Sequence, residues 1–193
     1  MMREFSGIVL AGGKSSRMGT DKTKLQWNHM SMLEWQVEKL RSAGAAEILL
    51  CGKTDKMIPN TRCVPDILPD RGPLGGVYSG LQAAKHPIAM VISADVPLLP
   101  ISTIHKLLHA HHSDATLLEH DGNIEPLIGI YNSSLVPIIF SLIHEQSASV
   151  RSLLAHCCWT TVEYTGDPFL LWNCNTPSDY QKALQLANDD TMQ

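Results

Sequence analysis

"GIVLAGGKSSRMGTDKTKL", residues 7–25, reads as a buried strand that runs into a glycine-rich loop studded with bases. Val9 and Leu10 close an apolar run, and Gly12 and Gly13 then remove two side chains. Lys14, Arg17, Lys22 and Lys24 follow within eleven residues, opposed only by Asp21. The loop matches neither common phosphate-binding pattern. Gly13-Lys14-Ser15 supplies the last letters of G-x-x-x-x-G-K-[ST], but no glycine stands five residues before Gly13. The adjacent pair Gly12-Gly13 also breaks G-x-G-x-x-G. What remains is physical: two glycines let backbone N–H groups approach a ligand closely. Arg17 can grip two phosphate oxygens at once, while Lys22 is a movable point charge. Four bases around one loop suit a triphosphate better than a lone phosphate. The plain alternative is a tight turn with solvated lysines.

Outward from this stretch, short apolar runs alternate with helical periods. "SMLEWQVEKLRSAG" (31–44) predicts a helix: Ser31 and Glu34 form a capping box, Leu33, Val37 and Leu40 repeat at helical spacing, and Gly44 suits the stop. "EILLC" (47–51) and "IAMVIS" (88–93) read as further buried strands, "GVYSGLQAA" (76–84) and "PISTIHKLLHAHH" (100–112) as helices. Strand, helix, strand, helix in this order argues for an α/β fold, a mainly parallel sheet covered by helices on both faces. In the second half, "DATLLE" and "PLIGIY" read as strands flanking the turn "HDGN" (120–123), which makes the sheet mixed. "SLVPIIFSLI" and "ASVRSLLAH" read as helices, and "TPSDYQKALQLAN" (176–188) as a last helix with Thr176 as cap and Pro177 at its first position.

The 193 residues fit one domain, and the apolar fraction of 44% is ordinary. A net charge of −4 provides no global basic field, so no nucleic-acid partner is expected. No run of about 18 apolar residues occurs, so no membrane span is expected. The N-terminus lacks the long apolar core and cleavage site of a signal peptide, which predicts a cytoplasmic protein. Cys51, Cys63, Cys157, Cys158 and Cys174 are odd in number and form no C-x-x-C pair, so reduced, mostly buried thiols are expected.

Two more stretches carry chemistry. "ISADVPLLP" (92–100) ends a buried strand and delivers Asp95, before Pro97 and Pro100 stop the chain. In open α/β sheets the ligand crevice lies beyond the carboxyl ends of the strands. A carboxylate there suits Mg²⁺, which favours one or two carboxylates plus substrate phosphates. The alternative is a turn or capping aspartate. In "PDILPDRGPLGGVYSGL" (65–81), Gly72, Gly75 and Gly76 flank Pro73 ahead of a helix. Such a turn can bring backbone against a flat base or sugar. Asp66 and Asp70 are each a turn residue or a ligand to nucleotide or metal.

Together these segments resemble the nucleotidyltransferases that make pterin dinucleotide cofactors, and within them the molybdenum cofactor guanylyltransferase branch. The resemblance rests on "LAGGKSSRMGTDK" (10–22), "GPLGGVYSGL" (72–81), "ADVP" (94–97) and "NCNTPSDY" (173–180), in order along nearly the whole chain. Asp21-Lys22 and Asn175-Thr176-Pro177 point to the guanylyl branch. The resemblance implies a single Rossmann-like nucleotidyltransferase domain over residues 1–193. It implies that Leu10, Ala11, Gly12 and Gly13 line the guanine and phosphate site, with Lys22 on the phosphates, Asp66 near the nucleoside and Asp95 on Mg²⁺. Many relatives carry Asn where this chain has Cys51, and Pro-Cys where it has Ser93-Ala94. The implied reaction joins GTP and molybdenum-molybdopterin into a guanine dinucleotide and releases pyrophosphate; cofactor delivery or acceptor proteins are implied partners. An anionic phosphate attacks phosphorus directly, so the protein aligns the reactants and neutralises charge, the work of Mg²⁺, Lys22 and Arg17. Asn173 and Asn175 are contacts to the pterin acceptor or helix-start residues.

Competing readings are a related cytidylyl- or sugar-phosphate nucleotidyltransferase and a non-catalytic nucleotide-binding module. Arg17, Lys22 and Asp95 together argue against the last, because binding without chemistry needs fewer of them. His105 and His109 share a helix face, but no carboxylate or Cys follows at ligand spacing, so a solvated face is expected.

Overall fold

The computed structural model describes residues 3–11, 25–52, 54, 56–68, 71–145 and 148–190. Its strands are β1 (Ser6–Leu10), β2 (Gln26–Trp27), β3 (Met30–Ser31), β4 (Glu47–Cys51), β5 (Arg62–Val64), β6 (Ile88–Ser93), β7 (Ala115–His120), β8 (Asn123–Asn132) and β9 (Trp159–Glu163). The helices are α1 (Met32–Ser42), α2 (Gly72–Ala83), α3 (Ile101–Ala110), α4 (Val136–Leu142), α5 (Val150–Leu153) and α6 (Pro177–Asp190).

Seven strands form one sheet in the order β5-β4-β1-β6-β8-β7-β9. β5, β4, β1 and β6 are parallel, β8 is antiparallel to β6 and β7, and β9 is parallel to β7. Every residue of β1 is buried, as a strand covered on both faces requires. Val9, Leu50, Met90 and Ile92 meet Leu33, Val37 and Leu40 of α1 and Ile104 and Leu107 of α3 on one face. Ile8, Leu49, Cys51 and Val91 meet α2, α4 and α5 on the other. The mixed α/β sheet with helices on both faces is therefore as expected.

The local signals behave as read. Ser31 caps α1, its side chain accepting from the Glu34 N–H while the Glu34 carboxylate accepts from the Ser31 N–H. Hydrogen bonds from Ser31 and the nearby Lys56 amine hold that carboxyl down at about 2. Gly44 follows the helix with φ +90°, a conformation that favours glycine.

Several boundaries differ from the sequence reading. α2 begins at Gly72 rather than residue 76, because Pro73 sits in its first turn, where no helical N–H is needed. The stretch 148–156 divides into the four-residue α5 and a 3₁₀ turn over Leu154–His156. Residues 134–143 divide likewise into a 3₁₀ turn over Ser133–Leu135 and α4. The β2–β3 hairpin, β5 and β9 have too few buried residues to show an apolar run.

Gly80 lies inside α2 because the helix must come close to the sheet. A Cβ there would stand 2.8 Å from Ile8 Cδ1 and 2.9 Å from Cys51 Sγ. Gly80→Ala sets a helix-propensity gain of about 1 kcal/mol against an overpacking penalty of about 1–3 kcal/mol. The expected outcome is a net loss of stability in urea unfolding; a gain would mean that the strand–helix spacing relaxes freely.

Candidate active site at the switch point of the sheet

Chain connections leave β1 toward β4 and β5 on one side, and the chain later returns to β6 on the other. Such a reversal opens a crevice at the carboxyl ends of the strands. Leu10 is paired with Cys51 and with Ser93. Pairing continues past the strands: the Ala11 N–H donates to the Cys51 carbonyl at 2.8 Å, and the Ala94 N–H to the Leu10 carbonyl at 3.3 Å. The glycine-rich basic loop starts at the next residue. Gly12, Gly13, Arg17 and Lys22 lie outside the described residues, as does Asp70. The Leu10 side chain is buried, and Gly76 of α2 packs against it, so what Leu10 can offer a ligand is backbone.

Asp95 stands just after β6, beside that exit and half-buried. The Ser93 hydroxyl donates to its Oδ1 at 2.5 Å. Its carbonyl accepts from the Cys174 N–H at 2.8 Å. The next two carbonyls are held by α1. Gln36 Nε2 donates to Val96 O at 2.9 Å, Trp35 Nε1 to Pro97 O at 2.7 Å, and Lys39 Nζ to Pro97 O at 2.9 Å and Val96 O at 3.4 Å. Burial drives the Lys39 amine down to about 7.

The Cys174 bond brings the 173–175 backbone to Asp95, which places both Asn173 and Asn175 next to the aspartate in the chain path. The Asn175 N–H donates to the Asn173 carbonyl at 2.9 Å. Thr176 caps α6 as expected: its hydroxyl accepts from the Asp179 N–H, and the Asp179 carboxylate accepts from the Thr176 N–H at 2.8 Å. Those bonds hold the Asp179 carboxyl below its usual range.

Asp66 lies beside α2. Its Oδ1 is 4.0 Å from where a Gly76 Cβ would be, and burial raises its carboxyl. Ile67 is fastened to α2 through its N–H, which donates to Ser79 Oγ at 3.0 Å. The glycines of α2 thus serve first to bring helix against strand and loop. Cys51 is a packing residue under α2, its thiol pushed up to about 12 by burial and by the Asp66 charge.

The sequence reading missed Glu125. β8 runs antiparallel to β6 with Ile128 opposite Ile92, so residues 124–126 extend past the carboxyl end of β6. Burial raises the Glu125 carboxyl; the Arg151 and His120 charges oppose that rise, and the Asp95 charge adds to it. No local pattern marks Glu125, because its place depends on strand pairing across the sheet. A cavity of about 420 Å³ opens nearby, lined by Arg71, Gly72, Pro126, Leu127, Ser149 and Arg151 among others.

No group of three or more His, Cys, Asp or Glu side chains that could hold a metal ion is found among the described residues. His105 and His109 are exposed. The donor set around Asp95 fits a hard cation that completes its shell with phosphate oxygens and water, and does not fit an all-protein cage. Among the described residues, no helix is long and apolar enough to cross a membrane.

A mixed sheet whose parallel half brings the start of a glycine-rich basic segment and an aspartate to its switch point has the layout of a nucleotide-handling α/β domain. The model of the MobA-like NTP transferase domain matches residues 7–162, so the chain belongs to that family and is a nucleotidyltransferase. It is 34% identical to a Carboxydothermus hydrogenoformans protein named "Probable molybdenum cofactor guanylyltransferase", over 96% of this chain and 98% of the relative. Its fold is similar to that of molybdopterin-guanine dinucleotide biosynthesis protein A from Archaeoglobus fulgidus, with a TM-score of 0.80 and 19% identity over 96% of this chain and 100% of that one. It is similar also to Rv0371c of Mycobacterium tuberculosis, whose structure is a complex with manganese, with a TM-score of 0.72 and 14% identity over 94% of this chain and 98% of that one.

The buried Lys39 makes stability depend on pH in a definite direction. Its folded value, about 7, lies below that of an unfolded lysine, roughly 10.4. Between those values the unfolded chain holds a proton that the folded chain lacks, so stability rises with pH. Urea unfolding between about pH 7 and 9 should show this rise in the native protein, and Lys39→Met should remove that part of it. An unchanged slope in the variant would show that Lys39 stays charged in the fold.

Proposed function

We propose that this chain transfers GMP from GTP to molybdenum-molybdopterin, forming the guanine dinucleotide and pyrophosphate in molybdenum cofactor biosynthesis. The observation that carries this reading is the placement of Asp95 beside the exit of the basic loop, with the Leu10 carbonyl joined to the Ala94 N–H between them. The family and the name of the Carboxydothermus relative support guanylyl transfer to this acceptor.

In this reading Leu10, Ala11, Gly12 and Gly13 present backbone to the nucleotide, and Asp66 lies on the nucleoside side. Lys22 and Arg17 bind the phosphates. An anionic phosphate oxygen of the pterin attacks the α-phosphorus of GTP. The bond from that phosphorus to the bridging oxygen breaks, and the electron pair leaves with pyrophosphate. No proton is transferred, so the protein's work is alignment and charge neutralisation. Asp95 would hold a divalent cation, Mg²⁺ in this proposal, which supplies positive charge against the leaving pyrophosphate. Asn173 and Asn175 lie on the acceptor side. The Arg71–Arg151 cavity has the volume of a small-molecule pocket, and its two arginines outweigh Glu145 in the lining, which suits an anionic acceptor. Proteins that deliver the pterin or receive the product are the expected partners.

Two measurements test the reading. GTP with Mg²⁺ should raise the melting temperature more than CTP does, since a ligand of the native state stabilises according to its affinity. A CTP preference would move the assignment to cytidylyl transfer. Asp95→Asn keeps the shape and the acceptor for the Ser93 hydroxyl but removes the charge. Pyrophosphate release should fall on the order of a hundredfold or more while circular dichroism is unchanged. Turnover within a few-fold of native would make Asp95 a turn residue and send the search for the metal to Asp66 or Asp70.

A further inference from the structure

Helix α1 carries an anomaly on a face that should be apolar. Gln36 and Lys39 are both buried, one turn apart, between the core residues Leu33, Val37 and Leu40. Gln36 Oε1 is buried with no hydrogen-bond partner among the described residues. An apolar side chain of similar volume at either position would avoid the desolvation of a buried amide or amine. Both polar groups nevertheless aim at the same short segment, and Trp35 joins them. Together they place four donor contacts on the Val96 and Pro97 carbonyls. Asp95 lies immediately before that segment, with its own carbonyl held by the Cys174 N–H and its Oδ1 by Ser93.

We propose that Trp35, Gln36 and Lys39 are positioning residues that set the place of the Asp95 carboxylate by fastening the two carbonyls that follow it. The inference rests on the reading of Asp95 as the cation ligand. Without the tether, residues 96–98 have carbonyls that must find other donors, and the turn after β6 can shift. A cation ligand displaced by a fraction of an ångström binds less well, although the fold is kept. Outer contacts of this kind typically change metal affinity or activity by roughly 10–100-fold.

The test is Lys39→Met, which keeps the length of the side chain and removes its donors. The melting temperature should stay level or rise, because a buried amine is replaced by an apolar group. GTP affinity measured by calorimetry without metal and without acceptor should be unchanged. The tightening of GTP binding on adding Mg²⁺ should shrink, and the Mg²⁺ concentration for half-maximal turnover should rise by about tenfold. A folded Lys39→Met protein whose Mg²⁺ requirement and metal-linked GTP binding stay within about twofold of native overturns the proposal. A purely structural lysine would lower the melting temperature and leave both metal readouts alone, which overturns it equally. If Lys39→Met does not fold, Trp35→Phe, which removes only the indole donor to Pro97, carries the same test with the same readouts. Asp95→Asn separates the two levels. If that variant turns over normally, the cation reading itself fails; if it is inactive while Lys39→Met and Trp35→Phe keep native metal dependence, only the positioning role fails.

Discussion

β1 is hydrogen-bonded along both edges, to β4 and to β6, and the crevice depends on this double pairing. A strand held on one side can shift its register; one held on both sides within a buried sheet cannot shift without turning apolar side chains the wrong way. The register sets Leu10 opposite both Cys51 and Ser93, so three chain segments leave the sheet at one level. One of them starts the basic loop and another carries Asp95. Their adjacency is a consequence of strand pairing and needs no contact between the loop and the aspartate.

The two helices nearest this point hold it in different ways. α2 approaches closely by having no side chains where it crosses β1 and β4: Gly76 packs against Leu10, and Gly80 against Ile8 and Cys51. α1 also comes close to β1, with Leu40 packed against Gly7, and it extends donors beyond its core residues to the Val96 and Pro97 carbonyls. Close packing fixes the floor of the crevice on the α2 side, and directional hydrogen bonds fix its wall on the α1 side. The first arrangement tolerates no added atom; the second is bought with the burial of an amide and an amine. Both are departures from what a helix needs for its own stability.

Charge is distributed accordingly. The chain carries a net charge of −4, yet Arg71 and Arg151 both line the cavity beside the crevice. Burial raises the Asp66 and Glu125 carboxyls, and the Arg151 charge opposes the rise at Glu125 while the Asp95 charge adds to it.

The amino-acid sequence determined what short-range chemistry decides. Ser6–Leu10, Glu47–Cys51 and Ile88–Ser93 are strands because each holds a short, mainly apolar run, and Ser31 with Glu34 starts a helix because the capping bonds span three residues. The same reach made Thr176 legible as a cap and Asp95 legible at the end of a strand. The beginning of α2 was misplaced because its glycines read as loop, while their packing against Leu10, Ile8 and Cys51 belongs to another part of the chain. Glu125, the service of Lys39 and Gln36 to the Asp95 turn, and the bond from Cys174 to Asp95 were invisible for the same reason. Each depends on which elements the sheet order makes neighbours, across separations of up to about eighty residues. Periodicity and capping are local properties of a chain; a donor meeting a distant carbonyl is decided only when strands pair and helices pack.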